Sequence, residues 1–142
     1  MKADQNKLDI RFFVDEATKT VACTIYPDRN EVYKEFQNLC EKENVEMHVY
    51  FDGNYQNSFL NRRYCGKAKC HPEDTFDVEK GKEIAKARAM QKYNEAKLMA
   101  FQRIANRVSD LLDRMDRAVE FYECRFVECS RDEFYATVED EK

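Results

Sequence analysis

Hydrophobic and polar residues alternate, imperfectly, along Leu8-Asp9-Ile10-Arg11-Phe12-Phe13-Val14. A polar stretch, Asp15-Glu16-Ala17-Thr18-Lys19, separates this run from the β-branched Thr20-Val21-Ala22-Cys23-Thr24-Ile25-Tyr26. Two such runs joined by turn residues predict a β-hairpin. Pro27-Asp28-Arg29-Asn30 is turn and cap chemistry, and beyond it Val32, Phe36, Leu39 and Cys40 recur at helical spacing as far as Lys42-Glu43-Asn44, which predicts a short amphipathic helix. Met47-His48-Val49-Tyr50-Phe51 reads as a strand closed by Asp52-Gly53-Asn54, and Phe59 to Cys70 as another with a polar lead-in.

The period changes from Asp77 onward. Tyr93, Ala96, Ala100, Ile104, Val108, Leu111, Met115, Ala118 and Tyr122 step by three or four, and an adjacent stripe passes through Ile84, Ala87, Met90, Leu98, Phe101, Ala105, Leu112 and Val119. Ala, Lys, Glu, Arg, Met and Leu fill most remaining positions, and Asp77 and Glu79 suit the positive end of a helix. A helix over about residues 78–123 is roughly 70 Å long at 1.5 Å per residue, more than a sheet of three or four strands can cover. Such a helix either breaks near Ser109-Asp110 into an antiparallel pair or buries its face against another copy of the chain. The second is favoured, because Ser-Asp is weak turn chemistry. The stretch from Arg125 through Val138 fits continued helix or a last strand.

The expected class is therefore α+β: a small antiparallel sheet, one short helix, and one or two long helices that mediate oligomerisation. One domain is expected over residues 1–142, comprising a sheet-rich half (1–76), a long helix (77–125) and an acidic C-terminal segment (126–142). The 43% hydrophobic content supports a core, while 37% charged residues and a mean hydropathy of -0.83 imply extensive solvated surface. Only three glycines and two prolines occur, which argues against Gly-rich phosphate loops and turn-dense all-β folds. No apolar run is long enough to span a bilayer and the first residues are polar, so the expectation is a cytoplasmic protein with no membrane partner and reduced cysteines.

Charge is polarised. Between Arg62 and Lys92 nine basic residues face five acidic ones, whereas from Ser109 to Lys142 five basic face eleven acidic. The overall net charge of -4 argues against binding long nucleic acid, but a local anion site at the strand-to-helix junction is compatible with it. Tyr64, Phe76, Tyr93 and Phe101 flank this region and suit base stacking, or a helix core.

Enzymatic chemistry has little support. Cys70 and His71 are adjacent, so in an extended chain they point to opposite faces, and acidic pairs such as Glu73-Asp74 are expected by chance among 28 acids. Cys65, Cys70, Cys124 and Cys129, with His71, lack zinc-knuckle spacing, and the thiols read better as small buried hydrophobes. Neither a catalytic set, a metal nor a cofactor is expected.

Residues 66–89, GKAKCHPEDTFDVEKGKEIAKARA, combine a strand ending Gly-x-Ala-Lys-Cys, a Pro-Glu-Asp-x-Phe-Asp turn and a helix reading Gly-x-x-x-Ala-x-x-Arg-Ala. This pattern resembles small phage proteins, specifically the first type of Thoeris anti-defence protein, which are α/β homo-oligomers with a small sheet and long helices. Residues 28–60 depart from that pattern. The resemblance implies a sponge that sequesters a cyclic ADP-ribose isomer, or in some relatives a cyclic oligonucleotide, without cleaving it. It would act in the cytoplasm of an infected bacterium. Carried over by motif, Phe76 is a stacking candidate and Arg88 a phosphate candidate. To these, physical reasoning adds Arg62 and Arg63 on the strand, and Arg103, Asn106 and Arg107 on the distal helix, where a second subunit could bring them to the same pocket. Pro72, Asp77 and Gly81 fit equally a role in turning the chain and starting the helix. The competing reading is an inhibitor of a host protein whose acidic end, including Asp110, Asp113, Asp116 and Glu120, mimics nucleic acid.

Overall fold

The structure is a computed structural model that describes residues 8–46 and 59–140. Strands β1 (Asp9–Asp15), β2 (Thr20–Tyr26) and β3 (Tyr64–Lys69) form one antiparallel sheet in the order β1-β2-β3. The first turn is closed by Asp15, whose Oδ1 accepts from the backbone N–H of Ala17 at 3.0 Å and of Thr18 at 3.3 Å. Lys19 completes it in the left-handed region at φ 50°. The register sets Phe12 opposite Cys23 and Cys23 opposite Gly66. Ile10, Phe12, Val14, Val21, Cys23, Ile25, Tyr64, Gly66 and Ala68 therefore share one face of the sheet.

Helix α1 (Glu31–Lys42) is entered through Asp28, whose Oδ1 accepts from Asn30 N at 3.0 Å and whose Oδ2 lies 2.6 Å from Lys34 Nζ. It buries Val32, Phe36 and Cys40. Its end is a Schellman turn: Asn44 is left-handed at φ 54°, Val45 N donates to Cys40 O at 2.8 Å, and Asn44 N donates to Glu41 O at 3.2 Å.

Helix α2 runs from Val78 to Asp140, 63 residues. Asp77 caps it, accepting from Lys80 N through Oδ1 at 3.2 Å and from Gly81 N through its carbonyl at 3.0 Å. Its first turns lie directly on the sheet through small residues. A Cβ at Gly66 would collide with the backbone at Ala85 O and Ala89 N and stand 2.9 Å from Arg88 Cβ, and one at Gly81 would stand 2.7 Å from Val21 Cγ2. Val21, Cys23, Ile25, Ala85 and Ala89 are fully buried in consequence. Farther along, Tyr93 donates its hydroxyl to Glu31 Oε1 at 2.5 Å, and Lys97 Nζ reaches Glu35 Oε1 at 3.1 Å, so α1 is joined to α2 by a buried and a solvated polar contact.

The chain divides into two compact units, residues 1–103 and 104–142. The first holds the sheet, α1 and the sheet-packed start of α2. In the second, every residue from 109 to 139 is exposed, among them Leu112, Met115, Val119, Tyr122 and Phe126. Cys124 and Cys129, which the sequence suggests as small buried hydrophobes, are exposed too, because they lie on a helix stretch that no described residue covers, while Cys65 and Cys70 are half-buried. The α+β class expected from the pattern is the one observed. The long helix does not break at Ser109-Asp110, and it continues through residues 126–140 in place of a last strand. The third strand is shorter than the run from Phe59 to Cys70, and the strand expected at residues 47–51 falls outside the described residues.

Candidate functional site

Where β3 turns into α2, a pocket of about 420 Å³ opens within the first unit. Ala68, Lys69, Cys70 and His71 come from the strand end, Asp74, Thr75, Phe76 and Asp77 from the turn, and Lys80, Gly81 and Ile84 from the first turns of the helix. The turn holds itself in shape. The Cys70 thiol lies 3.4 Å from His71 O and 3.7 Å from both Asp74 O and Thr75 O, while His71 Nδ1 accepts from Glu73 N at 3.3 Å. Lys19 fastens it to the β1–β2 hairpin, since Cys70 N donates to Lys19 O at 2.9 Å and Lys19 Nζ donates to Asp74 O at 3.2 Å. Cys70 and His71 are thus engaged in turn geometry, each bonded to backbone groups and neither to the other's side chain.

Phe76 is half-buried in the pocket wall, and Lys69 and Lys80 supply positive charge against the carboxylates of Asp74 and Asp77. The Asp77 carboxylate caps the helix start, so it occupies the place where a bound phosphate would meet the first backbone N–H groups. An anion entering here meets the two lysine side chains in preference to the helix terminus.

Of the seven residues singled out from the sequence, the structure brings only Phe76 to this pocket. Arg88 is exposed and donates from Nη1 to the backbone carbonyl of Lys67 at 2.5 Å. One turn on, Lys92 Nζ donates to Cys65 O at 2.8 Å. Residues 88 and 92 share a helix face, so these two cations cover backbone carbonyls of β3 on the side that has no partner strand among the described residues. Blocking an edge in this way hinders strand addition by another chain. Arg62 and Arg63 are exposed just before β3, and Arg103, Asn106 and Arg107 are exposed on α2. None of these five lines the pocket.

The sequence reading missed Lys69, His71 and Lys80 as pocket residues, and Lys19 and Lys92 as backbone donors. The i, i+4 relation of Lys92 to Arg88 was available, but its partners depend on the sheet edge, which no local pattern shows. Burial, opposed by the nearby Lys86 and slightly reinforced by Cys65, leaves the Cys23 thiol above its ordinary pKa, which suits a core residue better than a nucleophile. Among the described residues no group of three or more His, Cys, Asp or Glu side chains is placed to hold a metal ion, and no helix is long and apolar enough to cross a membrane.

On α2 beyond residue 104 the outstanding surface is apolar. Val119, Tyr122, Phe126 and Val127 line a shallow strip beside Glu123. No family model, curated protein or solved structure matches this chain, so the resemblance of residues 66–89 rests on those residues alone.

Proposed function

We propose that the chain is a non-catalytic binding protein that sequesters a cyclic ADP-ribose-type nucleotide, in keeping with the phage anti-defence pattern its residues 66–89 resemble, and that it acts as a homo-oligomer. The observation that carries the reading is the pocket at the β3–α2 junction. Its volume, about 420 Å³, falls in the range of small-ligand sites, and its wall combines a half-buried aromatic ring with two lysines. A nucleotide of this class offers an adenine face to Phe76 and phosphate oxygens to Lys69 and Lys80. Much of the Gly-x-Ala and Gly-x-x-x-Ala pattern serves helix-on-sheet packing, so ligand contacts are assigned to the turn and the lysines ahead of Arg88. The uncovered apolar face of residues 109–139 supports self-association.

Incubating the purified protein with cyclic ADP-ribose isomers and cyclic di- and trinucleotides, removing unbound ligand, denaturing the protein and weighing what is released tests this directly. Intact nucleotide is expected in the released fraction. Phe76→Ala is expected to weaken retention about tenfold, given that a base–aromatic stack contributes roughly 1–3 kcal/mol. A second reading has its own observation: the acids of α2 between Asp110 and Glu139 are exposed, as a surface mimicking nucleic acid requires. Absence of any retained nucleotide, together with loss of activity on neutralising Asp110, Asp113, Asp116 and Glu120, shifts the assignment to an inhibitor of a host protein.

A further inference from the structure

Residues Leu98, Phe101, Ala105, Val108, Leu112, Met115, Val119, Tyr122, Phe126 and Cys129 alternate steps of three and four without a fault. Each pair of steps spans seven residues, the heptad repeat of a coiled-coil seam. The seam lies on one continuous helix and none of it is buried: Leu98, Leu112, Met115, Val119, Tyr122 and Phe126 are 54–73% exposed, and Phe101 and Val108 are half-exposed.

From this seam we infer that α2 pairs with α2 of a second copy, antiparallel, about a two-fold axis between residues 113 and 114. The proposal deepens the self-association invoked above and rests on that part of the reading, not on the nucleotide. Two observations select the antiparallel arrangement. The first is charge. With the two-fold axis between residues 113 and 114, residues 120–139, which carry six acidic and two basic side chains, face residues 88–107, which carry five basic and one acidic. A parallel pair stacks each block on its own likeness, whereas an antiparallel pair lays the acidic block of one copy along the basic block of the other.

The second is size. With the axis at 113/114, Leu98 meets Cys129, Phe101 meets Phe126, Ala105 meets Tyr122, Val108 meets Val119, and Leu112 meets Met115. Ala105, the smallest seam residue, then faces Tyr122, the largest, and each contact occurs twice, as an isologous interface requires. A parallel in-register pair sets Ala105 on Ala105 and Tyr122 on Tyr122, leaving a gap at one layer and crowding at another. Asn94 and Glu133, at the next seam positions on either side, end the apolar run and so limit sliding.

Cysteine cross-linking on the full chain reads the orientation. In a Cys124→Ser background, mild oxidation of the added variant Leu98→Cys is expected to give a covalent dimer whose digest contains a peptide joining positions 98 and 129. The Cys124→Ser parent, with Leu98 intact, is expected to give no 129–129 link. Leu98 is 58% exposed, so the substitution leaves the fold undisturbed. A 129–129 link in the parent, a dimer lacking the 98–129 link, or a monomer by light scattering each overturns the proposal. Nucleotide retention is measured on the same preparations. A 98–129 link without retained nucleotide refutes the ligand assignment and leaves this pairing standing, and retained nucleotide on a monomer does the reverse.

Discussion

Substituting Gly66 by alanine isolates the contact on which the first unit is built. Gly66 is not in a left-handed conformation, so alanine meets no backbone penalty there, and removing a glycine from a strand gains about 0.5–1 kcal/mol. Against this stands the collision of the new methyl group with Ala85 O, Ala89 N and Arg88 Cβ. Two of these three are helix backbone, which cannot rotate away, so α2 must retreat from the sheet by about 1 Å to restore ordinary carbon contact distances near 3.5–4.0 Å. The retreat loosens Val21, Cys23, Ile25, Ala85 and Ala89, all with no exposure. Overpacking of this kind costs about 1–3 kcal/mol, and rigid opposing atoms place it at the upper end. The net loss is about 2 kcal/mol, or roughly 8 °C in Tm at about 4 °C per kcal/mol for a unit near 100 residues. Urea and thermal unfolding followed by circular dichroism measure it. Gly81→Ala serves as the comparison. Its new methyl meets only the Val21 side chain, and alanine favours a helix interior by about 1 kcal/mol, so its net change is near zero. A Gly66→Ala protein as stable as the parent would mean that α2 does not rest on the sheet at Gly66.

Tyr93→Phe removes the hydroxyl bonded to Glu31 Oε1 and leaves that buried carboxylate without this donor, a loss of about 1–3 kcal/mol in denaturant unfolding at neutral pH. Burial first, then the Glu31 carboxylate, pushes the Tyr93 hydroxyl well above the ordinary tyrosine value. The folded state therefore holds this proton more tightly than the unfolded chain. Parent stability should fall as pH rises above about 10, where unfolded tyrosines ionise, and the gap between parent and variant should narrow over the same range. Joint replacement of Arg88 and Lys92 by alanine should cost only about 0.5–1.5 kcal/mol per hydrogen bond, since both side chains are exposed. The uncovered β3 edge should nonetheless raise the rate of aggregation measured by light scattering. An unchanged aggregation rate would mean that the two cations do not guard the edge.

The elements legible in the sequence were those with strong local periodicity. The hairpin announced itself through the β-branched run 20–26 and the polar Asp15–Lys19 turn, and α1 through the spacing of Val32, Phe36 and Cys40. The long helix was legible as a helix, but its end was not, because Phe126, Phe134, Tyr135 and Val138 suit a strand as well as they suit a helix whose apolar side is uncovered. The candidate site was much less legible. Arg88 reads as a phosphate ligand in a basic stretch, and only the sheet register shows that it faces the Lys67 carbonyl. Gly66 and Gly81 read as motif residues near a ligand turn, and only the distance between sheet and helix assigns them to packing. The pocket lysines, Lys69 and Lys80, lie eleven positions apart and are brought together by the turn that Cys70 and Lys19 close. Neighbours of this kind are set by tertiary contacts, which no window of sequence contains.

Native mass spectrometry of the full chain, with and without a panel of cyclic ADP-ribose isomers, tests the account most directly, because a single spectrum reports both assembly and occupancy. An even-numbered assembly that gains the mass of intact nucleotide is expected, with no hydrolysis product on prolonged incubation. A monomer that gains no ligand mass across the panel would contradict this expectation.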